Sequence, residues 1–187
     1  MMELIPKLKL DLLNGWIYFV SYLLIFTILM LTRSKEVRVR LYDRKSWTKT
    51  QITATTIGKV FSLINIILIL LSPLQIGSIE FIVGTVLFLL GTIGVCVAVI
   101  NFGNAPLDKP IVNGLYKISR NPQMIMIYMM LLGIVLVVGS WISLIILSIS
   151  ISCAHFSILG EEKRLTEQYG ELYLDYKKQV PRYFLFF

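Results

Sequence analysis

Two short polar clusters flank a long charge-free stretch of this chain and hold most of its side chains suited to chemistry. Tyr116, Arg120, Asn121 and Pro122 precede it, and His155, Glu161 and Glu162 lie at its far end. An arginine beside a proline-led helix start is a ready anion site, because the first N–H groups of the helix have no partner within it. Pro122 suits the first helical turn, where its missing N–H costs nothing. Two glutamates supply the opposite sign, so a ligand carrying both a carboxylate and cationic or hydroxyl groups would suit the pair of clusters. His155 precedes Glu162 by seven residues and shares its helical face, which makes it a candidate pocket wall. The competing structural account is that Arg120 pairs with Glu161 or Glu162 and ties two helix ends together.

The clusters meet only if the segment between them folds back. Residues 123–160 carry no formal charge and are too long for one crossing of a hydrocarbon core, and Gly139-Ser140 sits near the middle. A tight helical hairpin follows, with both ends at one level. Three further uncharged stretches, residues 12–32, 60–79 and 81–107, each approximate or exceed the length of a span. The expected fold is therefore all-α: a polytopic membrane protein of about five transmembrane helices. With 56% hydrophobic and 16% charged residues among 187, the chain is far more apolar than a soluble domain. The apolar run ending in "LMLTRSK" has no small-x-small site and reads as a retained anchor rather than a cleaved leader.

The net charge of +7 raises the question of nucleic acid, and the positions of the basic residues answer it. Arg33, Lys35, Arg38, Arg40, Arg44, Lys45 and Lys49 fall in one connection, Lys109, Lys117 and Arg120 in another, and Lys163, Arg164, Lys177, Lys178 and Arg182 in the tail. Five spans put these on one side, which fits an outside N-terminus and a cytosolic C-terminus. Lys7 and Lys9 remain on the other side, and Lys59 snorkels near the cytosolic end of the second span. The basicity thus reflects orientation and lipid attraction, not a nucleic-acid partner. Cys96 and Cys153 lie in apolar spans without metal-ligand spacing and read as packing residues; no metal is expected.

The chain reads as one domain, with three spans in residues 1–107 and the loop, hairpin and tail in 108–187. Residues 33–55 form a polar, basic loop with Trp47 at the membrane surface. Gly84, Gly91 and Gly94 allow close helix approach. The stretch "NFGNAPLDKPIVNGLYKISRNP" has too many prolines and turn residues for one helix and must be an ordered reentrant or surface loop. Residues 161–178 read as an interfacial helix broken at Gly170, with Leu165, Tyr169, Leu172, Tyr173 and Tyr176 on its apolar face.

The order of these motifs resembles the isoprenylcysteine carboxyl methyltransferase and phospholipid methyltransferase family of integral membrane enzymes. That family has a G-x-Y-x-x-x-R-[HN]-P element followed by E-E-x-x-L-x-x-x-[FY]-G-x-x-Y-x-x-Y. Gly114, Tyr116, Arg120, Asn121 and Pro122 match the first, and Glu161, Glu162, Leu165, Tyr169, Gly170, Tyr173 and Tyr176 the second. The resemblance covers roughly the last 80 residues. It implies methyl transfer from S-adenosylmethionine to a lipophilic acceptor at the cytosolic face, with membrane lipids as surroundings. It further implies that Arg120, Glu161 and Glu162 act in catalysis and that Gly114, Tyr116, Asn121 and Pro122 join them in holding the cofactor; Asn113, beside the first motif, and His155, as the candidate pocket wall, are expected to line the same cofactor site. A prenylated-cysteine carboxylate and a phospholipid amine are both open as acceptors. Departures are the absence of an aromatic residue two places after Pro122, where Met124 stands and Tyr128 compensates one turn later, and Asn121 in place of a titrating histidine. No glycine-rich loop follows a strand, so a Rossmann methyltransferase is excluded. The rival readings are a nicotinamide-dependent reductase of the steroid 5-alpha type and a membrane scaffold.

Overall fold

The computed structural model describes residues 2–42, 47–106 and 108–184. Among these residues seven helices follow in order: α1 Trp16–Leu31, α2 Lys35–Tyr42, α3 Lys49–Leu71, α4 Ile79–Gly103, α5 Pro122–Val138, α6 Trp141–Tyr169 and α7 Glu171–Gln179, with a 3-10 turn at Gly114–Lys117. Among the described residues there are no strands, only isolated bridges joining Glu3 to Ser140 and Asn14 to Pro73. Three helices, α3, α4 and α6, are long and apolar enough to cross a membrane, and α1 and α5 are shorter apolar helices. Large apolar side chains such as Ile28, Leu63, Ile82, Leu90 and Ile93 stand exposed on their outer faces, as lipid contact requires.

The helix ends follow local chemistry. Thr48 and Gln51 form a reciprocal capping box, so α3 starts at Lys49, eleven residues before the apolar run that marks it in the sequence. With α2 also present, residues 33–55 are largely helical rather than a loop; Arg44 and Lys45 of that stretch, like Leu107 at the expected end of the third span, lie outside the described residues. At the other end, α1 begins at Trp16 instead of residue 12. Asn14 is fully buried, donating to the Lys9 and Leu70 carbonyls, and a Cβ on Gly15 would strike the Ile69 carbonyl. These contacts hold the chain against the α3–α4 turn before it can coil.

The expected hairpin is present. Gly139 closes α5 in the left-handed conformation at φ 64°, and the Ser140 hydroxyl accepts from Ser143 N–H to start α6. The last helix differs: α6 runs unbroken through Gly160 to Tyr169, because a lone glycine is tolerated where flanking turns stay bonded, and the break falls at Gly170 with φ 53°.

Packing divides the bundle into two tight pairs. Helix α4 lies along α5, and α3 along α6, whereas contacts between the pairs are sparse. Glycines make the first seam: a Cβ on Gly84 would meet the Gly133 carbonyl, and one on Gly91 the Met130 backbone. In the second seam, Gly58 lets α3 approach Cys153. The main core, including Ile69, Phe88, Met130, Ile134, Val138 and Leu147, fills the end of the bundle nearest the α3–α4 and α5–α6 turns. The extended N-terminal segment straps that end, exchanging backbone hydrogen bonds with Gly139, Trp141 and Leu71. Toward the opposite end, called here the loop end, the pairs separate.

Candidate active site

The gap between the pairs is a cavity of about 450 Å³, within the roughly 300–1,000 Å³ of sites that hold drug-sized ligands. Its composition changes along its length. Phe26, Ile127, Leu131 and Leu147 line the inner part, and Arg40, Tyr116, Arg120, Glu161, Arg164 and Tyr173 line the loop end.

Arg120 reaches this position from two residues before α5. Its backbone N–H donates to the Pro181 carbonyl at 2.9 Å. Its guanidinium is almost fully buried, with Nε donating to Glu162 Oε1 at 3.1 Å and Nη1 to the carbonyls of Lys177 and Val180 at 2.8 and 2.9 Å. Three of its five N–H groups are thereby committed, and the two on Nη2 have no partner among the described residues. Glu162 also receives Arg182, through Nε at 3.0 Å and Nη2 at 2.9 Å, so one carboxylate lies between two guanidinium groups. The acids are adjacent on a helix and point about 100° apart. Glu162 therefore joins this ion-pair network and does not line the cavity, whereas Glu161 does. Of the two roles foreseen for Arg120, the structural tie is made with Glu162 and the open face with the cavity.

The C-terminal segment completes the floor. Helix α7 turns back at Gly170, and its Tyr173 and Tyr176 pack with Val180, Leu165 and Tyr169. This aromatic face is turned onto the protein, and Leu172, expected to share it, is 59% exposed. The Tyr176 hydroxyl donates to the Tyr116 carbonyl at 2.6 Å, and Ser119 Oγ donates to the Arg182 carbonyl at 2.9 Å. Burial pushes the phenols of Tyr116, Tyr173 and Tyr176 well above the usual tyrosine range, so all three stay protonated at neutral pH.

The remaining expected site residues separate into two groups. Asn121 lines the cavity and donates from Nδ2 to the Arg182 carbonyl at 3.3 Å. Asn113, Gly114, Pro122 and His155 do not line it. Asn113 opens the 3-10 turn by accepting from Tyr116 N–H, and Gly114, at φ 57°, leaves room for the Asn101 side chain, which accepts from Leu115 N–H. Pro122 is the first residue of α5, as its type demands. His155 hydrogen-bonds through Nδ1 to the Tyr183 hydroxyl at 2.7 Å, pinning the tail instead of forming a wall.

Met124 and Tyr128 do line the cavity. The Tyr128 hydroxyl is buried without a hydrogen-bond partner among the described residues. A buried hydroxyl left unpaired is costly, and on a cavity wall it marks a place for a ligand's polar group.

Sequence reasoning missed the wall formed by the first third of the chain. Trp47, expected at the membrane surface, lines the cavity and sits against Gly160. Arg40 of α2 donates to the Pro106 and Lys109 carbonyls and to the Tyr169 hydroxyl, and its guanidinium lies over the Phe102 and Tyr169 rings. Nothing local to Arg40 signals this, since its partners lie at least 62 positions away in sequence. Among the described residues no group of three or more His, Cys, Asp or Glu could hold a metal ion.

The architecture is that of an integral membrane protein with a cavity between its helices. The model of the family described as phospholipid methyltransferase matches residues 53–172, more than half of the chain, and the protein belongs to that family. It is a methyltransferase of the membrane type. Neither a curated protein nor a solved structure matches the chain.

Proposed function

We propose that this protein transfers a methyl group from S-adenosylmethionine to a lipophilic acceptor, at a loop end that faces the cytosol, with α1, α3, α4, α5 and α6 as five spans of one domain. The observation that carries the reading is a cavity with a charged end and an apolar end. A zwitterionic nucleoside suits the first and a lipid chain the second. The orientation rests on the basic residues of α2, the loop and the tail, which gather at the loop end.

The donor set fits the cofactor. The free Nη2 edge of Arg120 presents two N–H groups to a carboxylate, Glu161 offers an acceptor to an ammonium or to ribose hydroxyls, and the Tyr128 hydroxyl has an unmet hydrogen bond. When bound, S-adenosylmethionine supplies a methyl group on a sulfonium, transferred by in-line displacement. The chain itself aligns and desolvates. The Glu162 network and the Lys177 and Val180 carbonyls fix the guanidinium of Arg120, so its remaining donors are preorganised. Phe26, Ile127, Leu131 and Leu147 exclude water from the inner end. An acceptor already ionised needs no base; for a protonated amine, Glu161 is the cavity carboxylate placed to take the proton.

The test is ligand stabilisation of the purified protein. S-adenosylhomocysteine should raise the unfolding temperature, NADPH should not, and labelled S-adenosylmethionine with total membrane lipid should yield a labelled lipid product. A response to NADPH alone, or no transfer to any lipid fraction, would remove the proposal.

A further inference from the structure

Lys59, expected only to snorkel, has no part in the methyl-transfer site described above. It lies ten residues into α3, about 15 Å from the start of that helix, and it lines the cavity. No hydrogen bond or ion pair engages its side chain among the described residues. Lys59 is exposed and at the same time lines the cavity, so it stands at the rim where the cleft opens, within reach both of the cleft and of a lipid outside it.

Its surroundings define what it can bind. Four cations line the cavity, Arg40, Lys59, Arg120 and Arg164, against one acid, Glu161. The neighbouring Gly58 packs against Cys153 of α6, which fixes the level of Lys59. Glu161 follows Cys153 by eight residues, about 12 Å nearer the loop end. At that axial offset an ion pair between them is out of reach, and α1, α3 and α5 carry no acidic residue. Ser62 on α3 lines the cavity near this level with its hydroxyl, whereas the Ser150 hydroxyl on α6 gives its proton to the Ile146 carbonyl at 3.0 Å. A cation and a donor hydroxyl, Lys59 and Ser62, set deeper than the loop end and bordering the membrane interior, suit an anion that arrives attached to an apolar chain.

We propose that Lys59 binds the anionic group of the lipid acceptor, a phosphodiester or a carboxylate, and so holds the methyl-accepting atom toward the loop end. Naming the lipid as acceptor rests on the methyltransferase reading, while the anion subsite stands on the geometry of α3 and α6. Lys59 is then a specificity residue: it selects lipids by the charge beside the reacting group.

The full chain in detergent, titrated without cofactor, tests this. Dioctanoyl phosphatidylethanolamine should bind at least about tenfold more tightly than dioctanoylglycerol, as a charge-assisted contact allows. Lys59→Met should bring the two lipids to equal affinity, with Lys59→Gln as a second uncharged variant, and Lys59→Arg should keep the preference. Removing a charge from an apolar span leaves the fold intact, which the unfolding temperature of each variant checks. A preference that survives in Lys59→Met, a wild type that does not discriminate, or inorganic phosphate binding as tightly as the phospholipid would overturn the assignment. Because no cofactor is present, a missing response to S-adenosylhomocysteine would count against methyl transfer and leave this result standing.

Discussion

Single residues at this site divide into those that hold and those set to bind. Glu162 holds: its carboxylate, 5% exposed, takes up both Arg120 and Arg182. Glu162→Ala would leave two guanidinium groups without their counter-charge, so a loss of about 3 kcal/mol in stability is expected, read from denaturant unfolding in detergent. Arg182 is partly exposed, and Arg182→Ala should cost less in the same measurement. Tyr128 behaves oppositely. Its buried hydroxyl makes no hydrogen bond, so Tyr128→Phe should leave the unfolding temperature unchanged or slightly raised. If the hydroxyl meets the cofactor, the same variant should weaken stabilisation by S-adenosylhomocysteine several-fold; an undiminished response would remove Tyr128 from the site.

Between helices, backbone proximity sets the cost of change. The α4–α5 seam has no room at Gly91, where an added Cβ would lie 2.5 Å from the Met130 nitrogen. Gly91→Ala should therefore destabilise by roughly 1–3 kcal/mol through forced separation of two helices. Gly170 has nothing within 4 Å of an added Cβ, yet its φ of 53° turns α7 back beneath the cavity. For Gly170→Ala the cost is conformational, roughly 1–3 kcal/mol, because φ 53° with ψ −130° is a conformation side-chain-bearing residues rarely adopt. Its further consequence is displacement of Tyr173 and Tyr176, so ligand response should fall more than stability does. Equal loss of both would show that α7 is not a separate floor to the site.

At the scale of the whole molecule, the two ends have different work. The strap end holds the packed core and the N-terminal segment, and the loop end holds the open cleft and the tail. Deleting residues 2–13 should lower the unfolding temperature while preserving the ligand response, since none of them lines the cavity. Truncation after Gln179 removes Val180, Pro181 and Arg182, and with them contacts to Arg120, Ser119 and Glu162. Ligand stabilisation should vanish in that variant even where helical content by circular dichroism is retained.

By itself the sequence determined the helical class, the hairpin at Gly139-Ser140, the proline start of α5, the break at Gly170 and the family, because each depends on composition or on a few adjacent residue types. Periodicity and turn chemistry act within a dozen residues, and so they are legible in one dimension. Only the tertiary structure decided which of two neighbouring glutamates faces the cavity, that His155 serves the tail, and that Arg40, Trp47 and Lys59 border the same space as Arg120. Those outcomes depend on helix rotation and on the spreading of two helix pairs. Both are set by packing between residues far apart in the chain, and no local pattern records them.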